Sequence, residues 1–347
     1  MNFDIIITSY NRPKKVEWLV DALQSEIVNK IIIVDSGNND FNLASDGSKI
    51  IICRSSHKNQ PYQRFLGVHN AELDWILFLD DDMEPIEGWD IEIRNIIEKY
   101  CYSTGMIGLK FEDLHRNSFL KNNLQSISSN KSSSSLNKLF RKISGYPILP
   151  MGTYYKNGVK GALPNKESQT DHVSGGAFLA SRKFLYKNVN LELFSLYENR
   201  MGKGEDGILS YSISKIAPII MFPTQLFWHN DQGNSVYTQN FYQFNLVVAF
   251  SRLFLNREYY RLNNMSMFRS RLSFVNYSFW RILGLSINFL IRPSKSRLSS
   301  LKGYLMGVIK AIFYKYQKNM SDINQYWMEQ AIKDSEFHGE GKEKYVK

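Results

Sequence analysis

The sequence predicts an α/β protein with a mostly parallel central sheet flanked by helices, followed by a mainly helical C-terminal region. Short β-branched runs alternate with helical patterns over residues 1–110, which is typical of a parallel sheet. Beyond residue 240 the composition becomes aromatic and basic at helical spacing. With 347 residues, 43% of them hydrophobic, the chain can bury a sizeable core, which excludes wholesale disorder.

The elements of the first part follow from composition and periodicity. Apolar β-branched runs predict strands, and apolar residues at helical spacing, in two cases with proline near the first turn, predict helices. The predicted strands are 3–8, 30–34, 49–53, 75–79 and 105–110, and the predicted helices are 13–23, 61–71 and 89–100. The pattern resumes at 171–181, continues with a helix that begins near Glu205, and ends with the apolar runs 219–222 and 225–228.

Composition divides the chain into two expected domains. Residues 1–239 would form the α/β domain, and residues 240–347 the helical, basic and aromatic region. Within the first domain, the Ser- and Asn-rich stretch 117–137 predicts a mobile loop. The two cysteines, Cys53 and Cys101, are too few for a disulfide framework or a thiolate metal cluster, so we expect buried thiols in a reducing compartment.

The positive charge of the chain is confined to one region. Residues 240–320 contain thirteen Lys and Arg but one acid, Glu258, for a net charge of +12, whereas the rest of the chain sums to −2. Such a region suits an anionic surface. Within it, residues 301–316 place apolar side chains at i, i+3, i+4 and i+7, which predicts an amphipathic helix.

We expect this basic region to hold the protein on the inner, cytoplasmic face of the cell membrane without spanning it. No signal peptide is visible, and the longest apolar candidate, 279–291, falls short of about 18 uninterrupted apolar residues. Two alternatives stay open for the amphipathic helix, which could instead pack on the α/β domain or form a homodimer seam. Nucleic-acid binding is a third alternative for the basic and aromatic region.

Three adjacent carboxylates end the fourth predicted strand, in the segment WILFLDDDMEP. Asp80, Asp81 and Asp82 repel one another there unless a cation lies among them. The C-terminal edge of a parallel sheet is where α/β folds bind ligands, and Mg²⁺ and Mn²⁺ take oxygen ligands. The segment therefore predicts a divalent metal site, with a solvated acidic turn as the alternative.

Ordered motifs give the chain a family resemblance over roughly residues 1–230. It resembles the GT-A family 2 glycosyltransferases, which are inverting enzymes that use nucleotide-diphosphate sugars. The motifs are ITSYNRP, IIIVDSGNND, LFLDDDMEP and GKGEDGILS, with HVSGGAFLASR similar to the acceptor-side glycine segment. The processive synthases are unlike this chain, which lacks their QxxRW motif, and no Gly-rich, basic nucleotidyltransferase loop is present.

The resemblance implies a GT-A fold and a set of nucleotide-sugar-binding residues. Thr8 and Tyr10 would border the nucleotide, and Asp35 would accept hydrogen bonds from the base. Arg64 would touch the nucleotide. Asp80 would approach the ribose, with Asp81 beside it. Asp35 and Arg64 also have structural interpretations, as a turn residue before Ser-Gly and as a surface residue of a helix.

A divalent metal is also implied by the resemblance. Asp82 would coordinate the Mn²⁺ or Mg²⁺ that bridges the diphosphate and neutralises charge on the departing nucleotide. His229, which follows an apolar run in FWHN, is the candidate for a further ligand. A structural histidine is the alternative for that position.

The motif GEDG supplies the catalytic candidates. An inverting transfer needs a base for the proton of the attacking hydroxyl, and the resemblance implies that Asp206 is this base while Glu205 orients the acceptor. Gly175 and Gly176 would let the backbone approach the sugar on the acceptor side. The alternatives are acids that stabilise a helix N-terminus and ordinary glycines of a strand or bulge.

The function that follows is an inverting, metal-dependent hexosyltransferase. It would move a sugar from a nucleotide-diphosphate donor, with a UDP-sugar favoured, to a hydroxyl of a glycan or lipid-linked acceptor in cell-surface polysaccharide synthesis. A catalytically silent sugar-binding GT-A domain is one alternative. A nucleic-acid-binding protein is the other, but it leaves the cluster from Asp80 to Asp82 unexplained, so we expect no nucleic-acid partner.

Overall fold

A computed structural model describes residues 1–37, 40–43, 49–114, 139, 141–145, 147–198, 202–230, 240–314 and 320–336. The predicted mobile loop 117–137 lies outside these described residues. The described strands are β1 Phe3–Ser9, β2 Val28–Asp35, β3 Ile50–Arg54, β4 Trp75–Asp80, β5 Met83–Pro85, β6 Met106–Asp113, β7 Tyr154–Tyr155, β8 Val159–Lys160, β9 Ser168–Gln169, β10 Ala177–Ser181 and β11 Ile219–His229. The helices are α1 Pro13–Ala22, α2 Gln60–Asn70, α3 Trp89–Tyr100, α4 Glu192–Glu198, α5 Glu205–Ser214, α6 Phe241–Leu262, α7 Met267–Ile291, α8 Lys295–Phe313 and α9 Met320–Glu336.

The chain forms two compact units. The first, which we call the sheet unit, contains residues 1–111, 163–229 and 315–347, and the second, the helical unit, contains residues 112–162 and 230–314. These units differ from the two expected domains because α9 packs against α2, α4 and β3 rather than with α6, α7 and α8. The division of the chain into domains at residues 239 and 240 stays a prediction.

The central sheet has nine strands among the described residues, in the order β3-β2-β1-β4-β10-β6-β11-β5, with β9 paired to β11. Strands β3, β2, β1 and β4 are parallel, β10 is antiparallel to β4 and β6, and β11 is antiparallel to β5 and β9. The α/β fold with a helical C-terminal region is therefore confirmed. The parallel part reads as near-continuous apolar runs because both of its faces are covered.

Strand β1 shows how the sheet accommodates a buried charge. All seven of its residues are buried, including Asp4. The Asp4 carboxylate accepts hydrogen bonds from Asn29 Nδ2 at 2.9 Å and from the backbone amides of Glu72 and Leu73 at 2.7 and 2.8 Å. Because every acceptor needs a donor in the interior, these bonds make the aspartate tolerable in the middle of an apolar strand. Cys53 and Cys101 are free and buried, as expected.

The helical unit depends on close contact between α6 and α8. A Cβ added at Gly303 would lie 2.1 Å from the Tyr242 carbonyl oxygen, and one at Gly307 would lie 2.3 Å from that of Leu246. Only glycine permits this approach of two helix backbones. Helix α8 buries Tyr304, Val308 and Ala311 but leaves other apolar residues exposed, namely Leu305, Met306, Ile309, Ile312 and Phe313.

The helix predicted at 301–316 begins earlier in the structure, at Lys295, and ends at Phe313. Some apolar residues of its stripe are buried and others are exposed. Tyr304 and Val308 of that stripe pack inside the helical unit, rather than on the α/β domain as the packing alternative had it, whereas Leu305 and Ile309 face outward. The expected absence of a spanning candidate is also corrected. Helix α7 has 25 residues and is long and apolar enough to cross a membrane by length and composition alone. The sequence-based candidate 279–291 was rejected because Arg281 and Asn288 interrupt it, but the helix runs through both residues and begins twelve residues earlier, at Met267.

Candidate active site

The carboxyl ends of the parallel strands bring the first motifs to one edge of the sheet. The register pairs Ser9 with Asp35 and Thr8 with Asp80 across neighbouring strands. The Oγ1 atom of Thr8 and the Oδ1 atom of Asp35 are buried and have no hydrogen-bond partner within the described part of the chain. Buried polar atoms in native proteins are normally satisfied, so these two atoms suit hydrogen bonds to a ligand.

Asp35 is held by a cation on the neighbouring strand. Arg54 Nη1 on β3 donates to Asp35 Oδ2 at 2.5 Å, and the Asp35 side chain is fully buried. The same region is fixed from α2, where Gln63 Nε2 donates to the carbonyl oxygens of Ser9 and Val34, each at 2.8 Å. Asp35 is thus more than a turn residue. The role of Gln63 could have been anticipated only from its place one residue before Arg64.

Tyr10 lies just beyond the end of β1 and is 42% exposed. Its hydroxyl accepts a hydrogen bond from Lys58 Nζ at 2.8 Å, and the Lys58 ammonium lies 4.7 Å from the centre of the Tyr10 ring. The pair places a positive charge and an exposed aromatic face together at the sheet edge. Such a surface suits a nucleotide, which offers both a planar base and phosphates.

Asp80 accepts two hydrogen bonds from helix α2. Gln60 Nε2 donates to Asp80 Oδ1 at 2.7 Å, and Arg64 Nη2 donates to the same oxygen at 2.8 Å. Burial raises the pKa of Asp80 to about 6, although the Arg64 charge acts in the opposite direction. The neighbouring carboxylates contribute further to the rise.

Asp81 and Asp82 share the guanidinium of Arg12. Arg12 Nη1 lies 2.8 Å from Asp81 Oδ1 and 3.3 Å from Asp82 Oδ2, and Ser9 Oγ donates to Asp81 Oδ2 at 2.9 Å. Burial raises the pKa of Asp81 despite these contacts. The three carboxylates are therefore divided between two arginines. Arg12, within the motif ITSYNRP, was missed as a site residue although its motif was recognised.

His229 faces Asp82 at the end of β11. Its Nε2 atom lies 3.4 Å from Asp82 Oδ1. Burial alone would raise the pKa of Asp82, but contact with His229 and the charges of Arg12 and Lys15 hold it below its ordinary value. The structure brings the two predicted metal ligands together. Their pairing depends on β11 lying against β5, where His229 is in register with Met83.

The pair fits a metal ion only together with ligands from another molecule. Among the residues that the structure describes, no group of three or more His, Cys, Asp and Glu side chains could hold a metal. Asp82 Oδ1 is nevertheless buried without a hydrogen bond from the described residues, and an imidazole nitrogen faces it. The carboxylate suits Mn²⁺ or Mg²⁺ when phosphate oxygens complete the coordination, and the imidazole nitrogen favours Mn²⁺, since Mg²⁺ prefers oxygen ligands.

Arg64 connects the acidic segment to the glycine and GEDG motifs. It is 3% exposed, so it is not a surface residue. Its Nη2 atom also donates to the Gly175 carbonyl oxygen at 2.8 Å, and its Nη1 atom lies 3.8 Å from Glu205 Oε1. Burial alone would lower the pKa of Arg64, but Asp80 and Glu205 raise it overall, so the guanidinium stays charged.

Gly175 and Gly176 lie where the surrounding side chains approach the backbone closely. A Cβ on Gly175 would lie 3.2 Å from Asp206 Cβ, and one on Gly176 would lie 2.2 Å from Met83 Cε. The Gly176 carbonyl oxygen accepts a hydrogen bond from the Asp80 amide at 3.0 Å. These glycines therefore have a packing role at the meeting point of two candidate motifs, whether or not a sugar approaches them.

Glu205 and Asp206 occupy the first turn of α5, after Gly204, which has a φ of +91°. Tyr197 Oη donates to Glu205 Oε2, and the Glu205 amide in turn donates to Tyr197 Oη at 3.3 Å. Tyr197 and Arg64 thus fix the Glu205 carboxylate. Asp206 is the half-buried neighbour whose Cβ faces Gly175. The carboxylates also favour the positive end of the helix, so both interpretations apply.

Helix α9 supplies contacts that the sequence patterns did not reveal. Asp334 Oδ2 accepts hydrogen bonds from the Ser56 amide, Ser56 Oγ and Tyr62 Oη at 3.0, 2.8 and 2.9 Å. Trp327 of the same helix is buried and packs against the rings of His57 and Tyr62. Because α2 carries the residues that hold Asp80, α9 supports the site indirectly.

We expect Asp334→Ala to lower the free energy of unfolding by about 1–3 kcal/mol, because the Tyr62 hydroxyl and the Ser56 amide lose a charged acceptor that is only partly exposed. Urea denaturation of the full chain measures this change. Glu329→Ala is the matched control, since Glu329 is exposed on the same helix and accepts a hydrogen bond from Gln325 Nε2 at 2.9 Å. Equal losses for the two variants would contradict the prediction.

Comparison with known families identifies the chain. Residues 4–185, which are more than half of its length, match the family model described as Glycosyl transferase family 2. The chain belongs to this family. The resemblance that the sequence motifs indicated is therefore confirmed, and the chain is a family 2 glycosyltransferase. The matched range ends before Glu205, Asp206 and His229, so the roles of these three residues depend on the geometry described above.

Solved structures with similar folds have low sequence identity to this glycosyltransferase. S. aureus TarS 1-349 is 11% identical, with 92% of this chain and 93% of that chain covered and a TM-score of 0.41. The same TarS fragment in complex with UDP-GlcNAc gives 11% identity, 91% and 94% coverage and a TM-score of 0.39. Mannosyltransferase PcManGT from Pyrobaculum calidifontis in complex with GDP-Man and Mn²⁺ is 8% identical, with 91% and 88% covered and a TM-score of 0.42. No curated protein matches the chain.

Proposed function

We propose that this family 2 glycosyltransferase transfers a sugar from a nucleotide-diphosphate sugar to a hydroxyl acceptor with inversion. The observation that carries the proposal is the position of Arg64, which contacts Asp80, Gly175 and Glu205 at once. Through this buried guanidinium the nucleotide-side carboxylate and the catalytic motif share one site. Inversion requires the acceptor and the leaving nucleotide on opposite faces of the sugar, and two motifs that adjoin without overlapping suit that arrangement.

Asp206 is the proposed general base. A carboxylate that removes the acceptor proton must be near the glycine segment where the sugar lies in this proposal, and Asp206 adjoins Gly175. Glu205 is less suited because Arg64 and Tyr197 already hold its carboxylate, and a nearby cation makes a carboxylate a weaker base. Glu205 instead orients Arg64 and the acceptor.

The proposed metal ligands are Asp82 and His229, with Mn²⁺ or Mg²⁺ as the ion. A bound divalent ion would supply Lewis-acid stabilisation of the negative charge on the departing nucleoside diphosphate. Other residues of the site would bind the nucleotide itself. Thr8, Tyr10 and Asp35 bind the nucleoside, and Asp80 meets the ribose.

The proposed location is the inner face of the cell membrane, where a lipid-linked or cell-surface glycan would be the acceptor. The support is the excess of basic residues beyond residue 240 and the apolar side chains that α7 and α8 expose. Homodimer formation through the same residues is the competing proposal.

A panel of nucleotide sugars tests the proposed activity. Hydrolysis of the donor and transfer to simple hydroxyl acceptors would be measured with UDP-, GDP- and dTDP-sugars, including UDP-GlcNAc and GDP-Man, in the presence of Mn²⁺ or Mg²⁺. One donor should be turned over and should raise the melting temperature, since a ligand stabilises the state that binds it. If no donor is hydrolysed and one still stabilises the protein, the chain is the silent sugar-binding domain instead.

We expect Asp82→Asn to weaken metal-dependent binding of the matching nucleoside diphosphate by at least about ten-fold, because a charged oxygen ligand is lost and the phosphates then lack part of their counter-charge. Calorimetry with Mn²⁺ and with EDTA measures the effect. Asp21→Asn, at an exposed position of α1, is the matched control and should bind as the wild type does. Equal affinity with Mn²⁺ and with EDTA in the wild type would refute the metal assignment.

A further inference from the structure

Helix α7 exposes a continuous apolar stripe along most of its length. The residues recur at intervals of three or four, so they share one side of the helix. Their exposed fractions run from 38% at Leu283 to 74% at Leu290. The stripe consists of Phe268, Leu272, Val275, Phe279, Leu283, Ile287 and Leu290. An exposed apolar patch of this length marks an interaction site in a soluble domain.

The opposite side of α7 is already occupied. Ser270, Phe274, Tyr277 and Ser278 are buried, and their positions on the helix lie across from the stripe. Residues 270–278 of the helix therefore pack into the helical unit on one side, whereas none of residues 279–291 is buried. At 1.5 Å per residue, its 25 residues extend about 37 Å.

Charge limits what could cover this stripe. Residues 267–313, which span α7 and α8, contain eight Arg and Lys and no Asp or Glu. Arg269 and Arg271 flank the stripe near its start, because their helical positions are at its two edges. Further exposed bases are Arg281, Arg292, Lys295, Lys302 and Lys310. Basic side chains thus border the apolar surface, and residues 267–313 contain no acid to balance them.

Helix α8 extends the apolar surface within the same unit. It packs against α7, and it exposes Ile309, Ile312 and Phe313, the last at 78%. Lys302 and Lys310 are exposed on the same helix. Both helices therefore combine apolar side chains that lack a partner in the described chain with basic groups nearby.

We propose that the exposed faces of α7 and α8 form a binding surface for an anionic lipid bilayer, with α7 lying in the plane of the interface. Its apolar stripe would enter the boundary between headgroups and acyl chains, and the flanking arginines and lysines would contact lipid phosphates. This assigns residues to the membrane attachment proposed above and places it mainly on α7 rather than on the 301–316 helix. Vesicle binding requires no transfer activity. The membrane proposal can therefore fail while the transferase function holds, and the transferase function can fail while the protein still binds vesicles.

Other occupants fit these observations less well. A second copy of the chain would bring two acid-free basic surfaces together, and like charges at an interface are unfavourable. A nucleic acid would neutralise the bases but leave Leu272, Val275 and Leu283 in water. A spanning position would remove the buried side of α7 from the helical unit and place Arg281 in the hydrocarbon.

Vesicle co-sedimentation tests the surface with the full chain. The probes are vesicles of phosphatidylcholine alone and of phosphatidylcholine mixed with phosphatidylglycerol. The wild type should bind the anionic vesicles and be released by high salt, because salt screens the basic groups. The triple variant Leu272→Ser, Val275→Ser, Phe279→Ser should bind the anionic vesicles at least roughly ten-fold more weakly than the wild type. The reason is that three apolar side chains leave the interface.

A charge variant and a matched control complete the design. Arg269→Gln, Arg271→Gln, Lys302→Gln should lose roughly ten-fold or more on anionic vesicles, which separates charge from apolar insertion. The control Ile91→Ser, Tyr102→Ser, Ile216→Ser removes exposed apolar side chains of the sheet unit and should bind as the wild type does. Unchanged melting temperatures confirm that the variants are folded.

Four results would overturn the proposal. The first is no binding of the wild type to anionic vesicles at low salt. The second is binding that does not depend on lipid charge or that resists high salt, which indicates a spanning helix. The third is a wild-type dimer that the serine variant converts to a monomer, seen by sedimentation equilibrium without lipid. The fourth is retention of vesicle binding by both the serine and the glutamine variants.

Discussion

Replacing Asp206 by asparagine should lower kcat of the transfer reaction by about 100-fold or more, while the Kd of the donor nucleotide changes little. The amide has nearly the same shape as the carboxylate, so the first turn of α5 and the contact of Cβ with Gly175 are retained. It cannot accept a proton from the attacking hydroxyl at neutral pH. Steady-state kinetics with saturating donor measures the loss, and calorimetry with the nucleoside diphosphate measures the unchanged affinity.

Two carboxylate variants serve as controls for Asp206→Asn. Asp21→Asn, on the exposed side of α1, should leave kcat unchanged. Glu205→Gln weakens the contacts with Arg64 and Tyr197 and should raise the KM for the acceptor more than it lowers kcat, because Glu205 positions rather than removes a proton. If Asp206→Asn keeps most of the activity and Glu205→Gln loses it, the two roles are exchanged.

Replacing Arg64 by methionine should lower the free energy of unfolding by about 3–5 kcal/mol, the range for removing one partner of a buried ion pair. Methionine fills much of the same volume but leaves the carboxylates of Asp80 and Glu205 without their shared cation and the Gly175 carbonyl without its donor. Arg64 is almost completely buried, and the side chains of Asp80 and Glu205 are 27% and 17% exposed, so water screens the remaining charges only in part. Urea denaturation of the full chain measures the change.

The effect of Arg64→Met should depend on its partner and on pH. Adding Asp80→Asn should recover part of the lost stability, since the two residues are in contact. Burial raises the folded-state pKa of Asp80 from its ordinary value of 3.8 to about 6. The free energy of unfolding therefore falls as pH rises from about 3.8 to about 6, because Asp80 must ionise in the folded state. Without the Arg64 charge this loss of stability is larger. Arg182→Met, at an exposed arginine, is the control, and an equally large loss there would contradict a specific role of Arg64.

Local sequence patterns were sufficient for the elements and for the shared edge of the sheet. The apolar runs predicted β1, β2, β3 and β4, and a parallel arrangement brings the carboxyl ends of β1, β2 and β4 together. Thr8, Asp35 and Asp80 follow from that rule because each is at the end of a strand. The ordered motifs extended the same reasoning to family 2, which the family match confirmed. The roles of the individual site residues stay predictions.

Contacts between distant segments were decided only by the tertiary structure. The pattern around Arg64 predicts a helix. It does not show that Gly175, 111 residues later, and Glu205 contact the Arg64 guanidinium. The pairing of His229 with Asp82 depends on β11 lying beside β5. Such contacts depend on which elements pack together, and periodicity carries information only about one element at a time.

For the C-terminal helices, too, the sequence did not show which elements would pack together. Their sequences established amphipathic character and a basic excess, since both are properties of composition and period. Helical spacing shows that a face is apolar but not which neighbour covers it. The structure placed α9 in the sheet unit, buried Tyr304 and Val308 of the α8 stripe in the helical unit, and left the α7 stripe without a partner in the described chain. A close-packed interior has room only for the faces that the other elements leave uncovered.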